Sequence, residues 1–171
     1  MPLTRSARYV APAQVAACHL NAATPPGLFV SERAEHAMLV HHDGDNRLAV
    51  ALDQSLGHEF ETWTLEADTT AWFGLALGPV ELELDASSIM RSESGIGCIE
   101  VRGKRACLIS RGRAPWERIA VPVATTAGAD VGSDRSLTFT RWRLIQRDYL
   151  GGPIELFTYD AASQIVGANE V

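Results

Sequence analysis

The chain has 171 residues, 46% hydrophobic and 21% charged, an ordinary globular composition that excludes a collagen-like or disordered chain. Lys and Arg number 15 against 21 Asp and Glu, and a net charge of −6 argues against a general nucleic-acid binder, which needs a basic surface to neutralise phosphates. No apolar run approaches the ~18 residues of a membrane-spanning helix, so no membrane span is expected.

The first 20 residues, MPLTRSARYVAPAQVAACHL, place Arg5 and Arg8 ahead of a short Ala/Val stretch that ends at Cys18. That outline suits export as a lipoprotein through Cys18. Pro12 and Gln14 interrupt the apolar stretch, however, and it falls short of the usual ~7–15 residues of a signal core, so a cytoplasmic chain is expected. Pro12 fits a first helical turn and alanines follow, which predicts a helix over 12–23 within an N-terminal arm of residues 1–27.

Period-two alternation dominates from residue 28 onward. In VELELDA (80–86), Val80, Leu82 and Leu84 share one face while Glu81, Glu83 and Asp85 share the other, the pattern of a half-buried strand. RLAVALD, IAVPV, SLTFTRWRLI and IELFTY read similarly, and HDGDN, RGK, RGRAP and LGGP are the turn signals between them. Strands at this spacing predict an all-β sandwich or barrel.

One strand is written twice. FETWTLEAD (60–68) and FTRWRLIQRD (139–148) share Phe, then Trp three places on, then Leu two further. RLAVAL precedes the first and RIAVPV the second, while LGPVELELDA and GGPIELFTYDA follow, at offsets of 71, 79 and 74 residues. Shared order at near-constant spacing predicts two repeats, 28–86 and 98–161, packed on a pseudo-two-fold axis into one β domain spanning 28–171. On this reading Trp63 and Trp142 are core posts, Gly78–Pro79 and Gly152–Pro153 are turns, and function is expected where the copies differ.

Charge differs most. Residues 28–97 carry 13 acids and 3 arginines; residues 98–171 carry 8 acids and 10 bases. Arg141 and Arg143 share one face of the second copy where the first has Thr62 and Thr64. With Arg111 and Arg113 they form a candidate patch for an anionic ligand or acidic protein partner. The same layout also suits a solvated face that attracts the other repeat, or head-to-tail self-assembly.

Histidine differs next. His41, His42, Asp43, Asp45 and His58 cluster in the first repeat, and imidazole with carboxylate is a ligand set for a divalent metal. Adjacent histidines point to opposite faces of a strand, and neither H-E-x-x-H nor a full calcium loop is present. Two tryptophans, Trp72 beside Gly74 and Ala76, and Trp116 in RAPWER, offer flat shelves for a sugar ring or an apolar partner. Cys98 and Cys107 alternate onto one face of a hairpin, close enough for a disulfide to be conceivable, yet thiols are expected in a reducing cytosol. No nucleophile elbow or phosphate-cradling loop occurs. Glu81, Glu83 and Asp85 could face Glu59 or Glu61 as a glycosidase-like pair, but nothing selects one. The chain therefore reads as a non-catalytic binding or assembly module, with a metal protein or a carbohydrate-binding sandwich as alternatives.

Overall fold

The computed structural model describes residues 15–23, 27–31, 37–43, 45–52, 59–65, 72–77, 80–90, 95–112, 114, 116–125, 131–148 and 150–162. Among these, the first half contributes β1 (Val15–His19), β2 (Gly27–Ser31), β3 (Ala37–Asp43), β4 (Asn46–Ala51), β5 (Thr62–Thr64), β6 (Phe73–Leu77), β7 (Glu81–Leu84) and β8 (Ile89–Met90). The second half contributes β9 (Ile99–Gly103), β10 (Arg105–Arg111), β11 (Arg118–Thr125), β12 (Val131–Phe139), β13 (Arg141–Arg147) and β14 (Pro153–Asp160). They form three antiparallel sheets, ordered β1-β6-β2-β3-β4-β5, β11-β10-β9-β12-β8 and β14-β13-β7. The expected all-β character is met, and no helix among the described residues is long and apolar enough to cross a membrane.

The alternation read from the sequence explains the layering. In the six-stranded sheet Leu28, Val30, Leu39, Val50 and Leu77 face one way and pack with Ile99, Val101, Leu108 and Val121 of the five-stranded sheet. Trp142, Leu144, Leu156 and Tyr159 of the three-stranded sheet join the same cluster, so all three sheets share this core. Each such side chain contributes about 1.5–3 kcal/mol of burial. The opposite face of the six-stranded sheet carries a smaller cluster of Phe29, Val40 and Ala49 under Leu20 and Ala23. Tight turns behave as their residues demand: Arg102 pairs with Arg105 across Gly103 and Lys104, and Gly103 takes φ 57°, the left-handed region a two-residue hairpin requires.

Two expectations fail. Residues 15–19 are not helical: they form edge strand β1, paired along its length with β6, and only one 3-10 turn (Leu20–Ala22) follows. Alanine's helix propensity is a weak preference, and a full ladder of backbone hydrogen bonds overrides it. The Arg47 guanidinium donates to the carbonyls of Asn21 and Ala23, fastening that turn over the smaller cluster.

The two tryptophan-bearing segments also occupy different places. Trp63 lies on β5, at the edge of the six-stranded sheet, and is half-buried; Trp142 lies on β13, the centre of the three-stranded sheet, and is 2% exposed. The reason is that β13 draws its second neighbour, β7, from the other half of the chain. What does recur is part of the strand order: β6 and β12 each return beside the first strand of a meander, which runs through four strands in the first half (β2-β3-β4-β5) and three in the second (β9-β10-β11).

Candidate functional site

A knot of aromatic rings sets the geometry of the second half. Phe60 packs edge-to-face on Tyr159, with ring centroids 5.2 Å apart, and Trp142 lies 5.7 Å from Tyr159. Phe60 itself sits at φ 60°, an unusual conformation for a bulky side chain, and its carbonyl accepts from the Arg111 N–H at 2.7 Å. The neighbouring residue Glu61 makes a parallel bridge to Arg111. The knot thus ties the end of β10 to the first half of the chain. Burial, above all, pushes the Tyr159 hydroxyl up from its ordinary range, and that hydroxyl donates to the Ile96 carbonyl at 3.0 Å.

The arginines on β13 are spent within the fold. Arg143 stands opposite Glu83 in the β13–β7 register and donates to it at 2.6 Å, while reaching Glu155 on β14 at 3.3 Å. Arg141 bridges Asp85 at 2.8 Å and Asp160 at 3.1 Å, and Arg147 pairs with Glu81 at 3.0 Å. Hydrogen bonds to Asp85, Glu83 and Glu81 respectively push Arg141, Arg143 and Arg147 further up, so all three hold their charge. The Asp85 carboxylate is held below its ordinary range, first by the Ser87 hydroxyl and then by the Ser87 N–H and Arg141. Three guanidinium groups meet five carboxylates on this face, which makes it a charge ladder with acid in excess. Arg141 and Arg143 therefore offer an incoming anion no unsatisfied cation, and the attraction between halves is the reading their geometry supports. The acids of β7, Glu83 and Glu81, are paired with Arg143 and Arg147.

The β10–β11 hairpin tip differs. Arg111 and Arg118 stand opposite each other where the strands open, and both are exposed. Arg111 has no carboxylate partner among the described residues. The loop between them is locked by its own groups: Gly112 N–H donates to the Glu117 carbonyl at 3.0 Å, and Glu117 N–H to the Ala114 carbonyl at 2.9 Å. The Glu117 carboxylate folds back over Gly112 to accept the Ala114 N–H at 3.3 Å. That closed turn holds Trp116 outward with 84% of its surface exposed. Tryptophan is a residue proteins usually cover, and here the loop's hydrogen bonds present it instead. Arg113 lies outside the described residues.

Trp72 is half-buried: its ring packs edge-to-face on Trp63 at 5.6 Å within the smaller cluster, and a Cβ at Gly74 would lie 2.8 Å from the Phe29 ring. Of the metal candidates, His41, His42 and Asp43 are consecutive residues of β3, paired with Leu48, Arg47 and Asn46, and Asp45 is exposed at the turn. Their three side chains and the whole of His58 lie outside what is described. Among the described residues no group of three or more His, Cys, Asp or Glu converges. Cys98 and Cys107 are free thiols on a diagonal, Cys107 opposite Glu100 and Cys98 bonded through its carbonyl to Ile109, and burial pushes both thiols up.

Sequence reasoning named Arg111 and Trp116 but missed Glu117, whose capping role needs the loop's closure to be visible. It also missed Leu150, 79% exposed at the β13–β14 turn, where Asp148 accepts the Leu150 and Gly152 N–H groups at 2.9 and 2.7 Å. An Asp three residues before a Gly-Gly pair was the available signal.

No curated protein and no solved structure matches the chain. One family model does, over residues 17–164, a span that takes in every strand except the first two residues of β1. On that match, the chain belongs to the family described as "Uncharacterised protein y4lG".

Proposed function

We propose that the chain is a non-catalytic recognition module that binds an acidic protein partner through the tip of the β10–β11 hairpin. The observation that carries this reading is Trp116, held 84% exposed by a loop whose backbone is closed on its own carboxylate. The loop's hydrogen bonds hold the backbone that carries the ring, which lowers the ordering cost of docking, and tryptophan and arginine are the residues that most often dominate interfaces. Arg111 beside it supplies the charge that selects an acid-rich surface. Three unpaired cysteines fit a cytoplasmic site, where such thiols stay reduced.

The same reading retains the two-fold duplication, with its register moved. The matched strand orders β6-β2-β3-β4 and β12-β9-β10-β11 support a common unit; the tryptophan strands fall outside it. The hairpin tip then belongs to a loop the second copy elaborated.

Fluorescence anisotropy with a labelled glutamate-rich peptide tests the proposal. Saturable binding at low salt is expected, weakened at about 0.5 M salt where the Debye length shrinks to a few ångströms. Trp116→Ala should weaken it at least about thirtyfold, the weight of a hot-spot residue. Affinity that survives Trp116→Ala, or no binding at all, contradicts the reading.

A further inference from the structure

Among the described residues six strands stand at sheet edges, and five of them carry a feature that discourages a further strand. β11 holds Pro122 and pairs with β10 across a bulge at Ala106/Cys107. β14 starts at Pro153 and pairs across a bulge at Leu144/Ile145, while β7 carries Glu81 and Glu83. β8 has two residues, and β5 has three beside the Glu61–Arg111 bridge. β1 differs. Its VAACH has no acid, lysine, arginine or proline, and its register with β6 runs without a bulge.

The ladder to β6 fixes which backbone groups of β1 face outward. Leu20 N–H donates to the Trp72 carbonyl at 2.7 Å, in line with the β1–β6 register, so Cys18 and Ala16 bond β6 in turn. Val15, Ala17 and His19 therefore turn their N–H and C=O groups to the edge, where β1 pairs with no strand among the described residues. Apolar surface lies alongside. His19 packs edge-to-face on Phe73, with ring centroids 5.2 Å apart, and Phe73 and Leu75 are 44% and 38% exposed.

Two copies of this edge complement one another. In an antiparallel pair centred on Ala17, Ala17 meets Ala17 of the second copy and Val15 meets His19, each couple exchanging both hydrogen bonds. All three outward residues are then satisfied, and the contact closes as a two-fold dimer. Neutrality favours this edge for self-pairing in a chain of net charge −6, because edges bearing Glu81, Glu83 or Glu155 would bring acids together. We propose that β1 is a homodimer interface, at which two copies join their six-stranded sheets into one. The strand has five residues, short for an interface, so the dimer is weak, with a Kd of about 10 µM.

Sedimentation velocity of the full chain from about 1 to 300 µM tests this, and monomer should give way to dimer. Ala17→Pro removes an outward N–H and none of the bonds to β6, so it should keep the fold and stay monomeric. Cysteine cross-linking reads the register independently. In a Cys18→Ser background, Ala17→Cys should form disulfide dimers under mild oxidation, its Cα atoms being about 5.5 Å apart across the axis. His19→Cys faces Val15 instead of itself and should cross-link at least about tenfold more slowly. Trp116→Ala should dimerise as the wild type does, which separates this interface from the hairpin tip. A chain still monomeric at about 300 µM, as an edge already covered from within would be, overturns the proposal. So does a dimer that Ala17→Pro retains or Trp116→Ala abolishes, or equal cross-linking at positions 17 and 19.

Discussion

Trp142 donates its indole N–H to the Gly97 carbonyl at 2.7 Å, across 45 residues of sequence, and Gly97 takes φ 87° to present that carbonyl. The pair needs glycine twice over. No side chain accepts that φ without strain, and a Cβ at Gly97 would lie 2.6 Å from both the Phe60 and Tyr159 rings. Gly97→Ala is therefore expected to destabilise the chain by about 2–4 kcal/mol, through strain and displacement of the aromatic knot together. Urea denaturation measures it. A loss below about 0.5 kcal/mol, the scale of an ordinary surface change, would mean that the knot is not close-packed.

The charge ladder gives an acid-dependent prediction. Asp85 has a depressed folded pKa, so its contribution is present above its unfolded value of about 3.9 and is lost as pH falls through the lower folded value. Asp85→Asn removes the ionisable group. The denaturation midpoint of the variant should lie below that of the wild type at neutral pH, and the gap should close in strong acid. A gap independent of pH would show that the Ser87 and Arg141 contacts hold Asp85 by shape alone.

At the other end of the pH scale, Tyr159 has a raised folded pKa because burial penalises its phenolate. For a group raised in the fold, the stability it contributes is complete below the unfolded value of about 10 and drains away as pH rises toward the folded value. Stability should therefore begin to fall above about pH 8.5, where the raised thiols of Cys98 and Cys107 enter, and fall more steeply above about pH 10 as Tyr159 joins them. Tyr159→Phe should lose about 1 kcal/mol at pH 7 through the missing bond to Ile96, yet show a flatter alkaline slope. An unchanged slope would place the alkaline sensitivity elsewhere.

The sequence made the strands legible because their faces differ in polarity. Glu81 is exposed while Leu82 and Leu84 turn toward the shared core, as the alternation in VELELDA implies. Trp142 was readable as a core residue for the same reason. Residues 15–19 were not readable as a strand, since alanine runs favour a helix until a neighbour such as β6 offers a ladder. Nor could pattern alone assign the partner of FTRWRLIQRD. Sharing Phe, Trp and Leu with FETWTLEAD describes a strand's own faces, whereas pairing is a long-range contact that brought β7 to its side. The arginines of β13 were legible as a cationic face, but whether they were available depended on carboxylates 56 to 66 residues upstream. At the candidate site, the turn signal RGRAP located the loop, and Trp116 was recognisable as an anchor. Its exposure depends on Glu117 closing the loop, which no local pattern encodes.

The chain has four tryptophans, hence four indole N–H groups, and their nuclear resonances test the central claim most directly. With the Trp116 cross-peak assigned through Trp116→Phe, titration with a glutamate-rich peptide should move that cross-peak saturably. The cross-peak of Trp142, bonded to Gly97 in the core, should stay fixed, and Arg111→Ala should weaken the Trp116 response. A spectrum in which no indole moves, or in which only Trp63 and Trp72 do, would contradict the assignment of recognition to the hairpin tip.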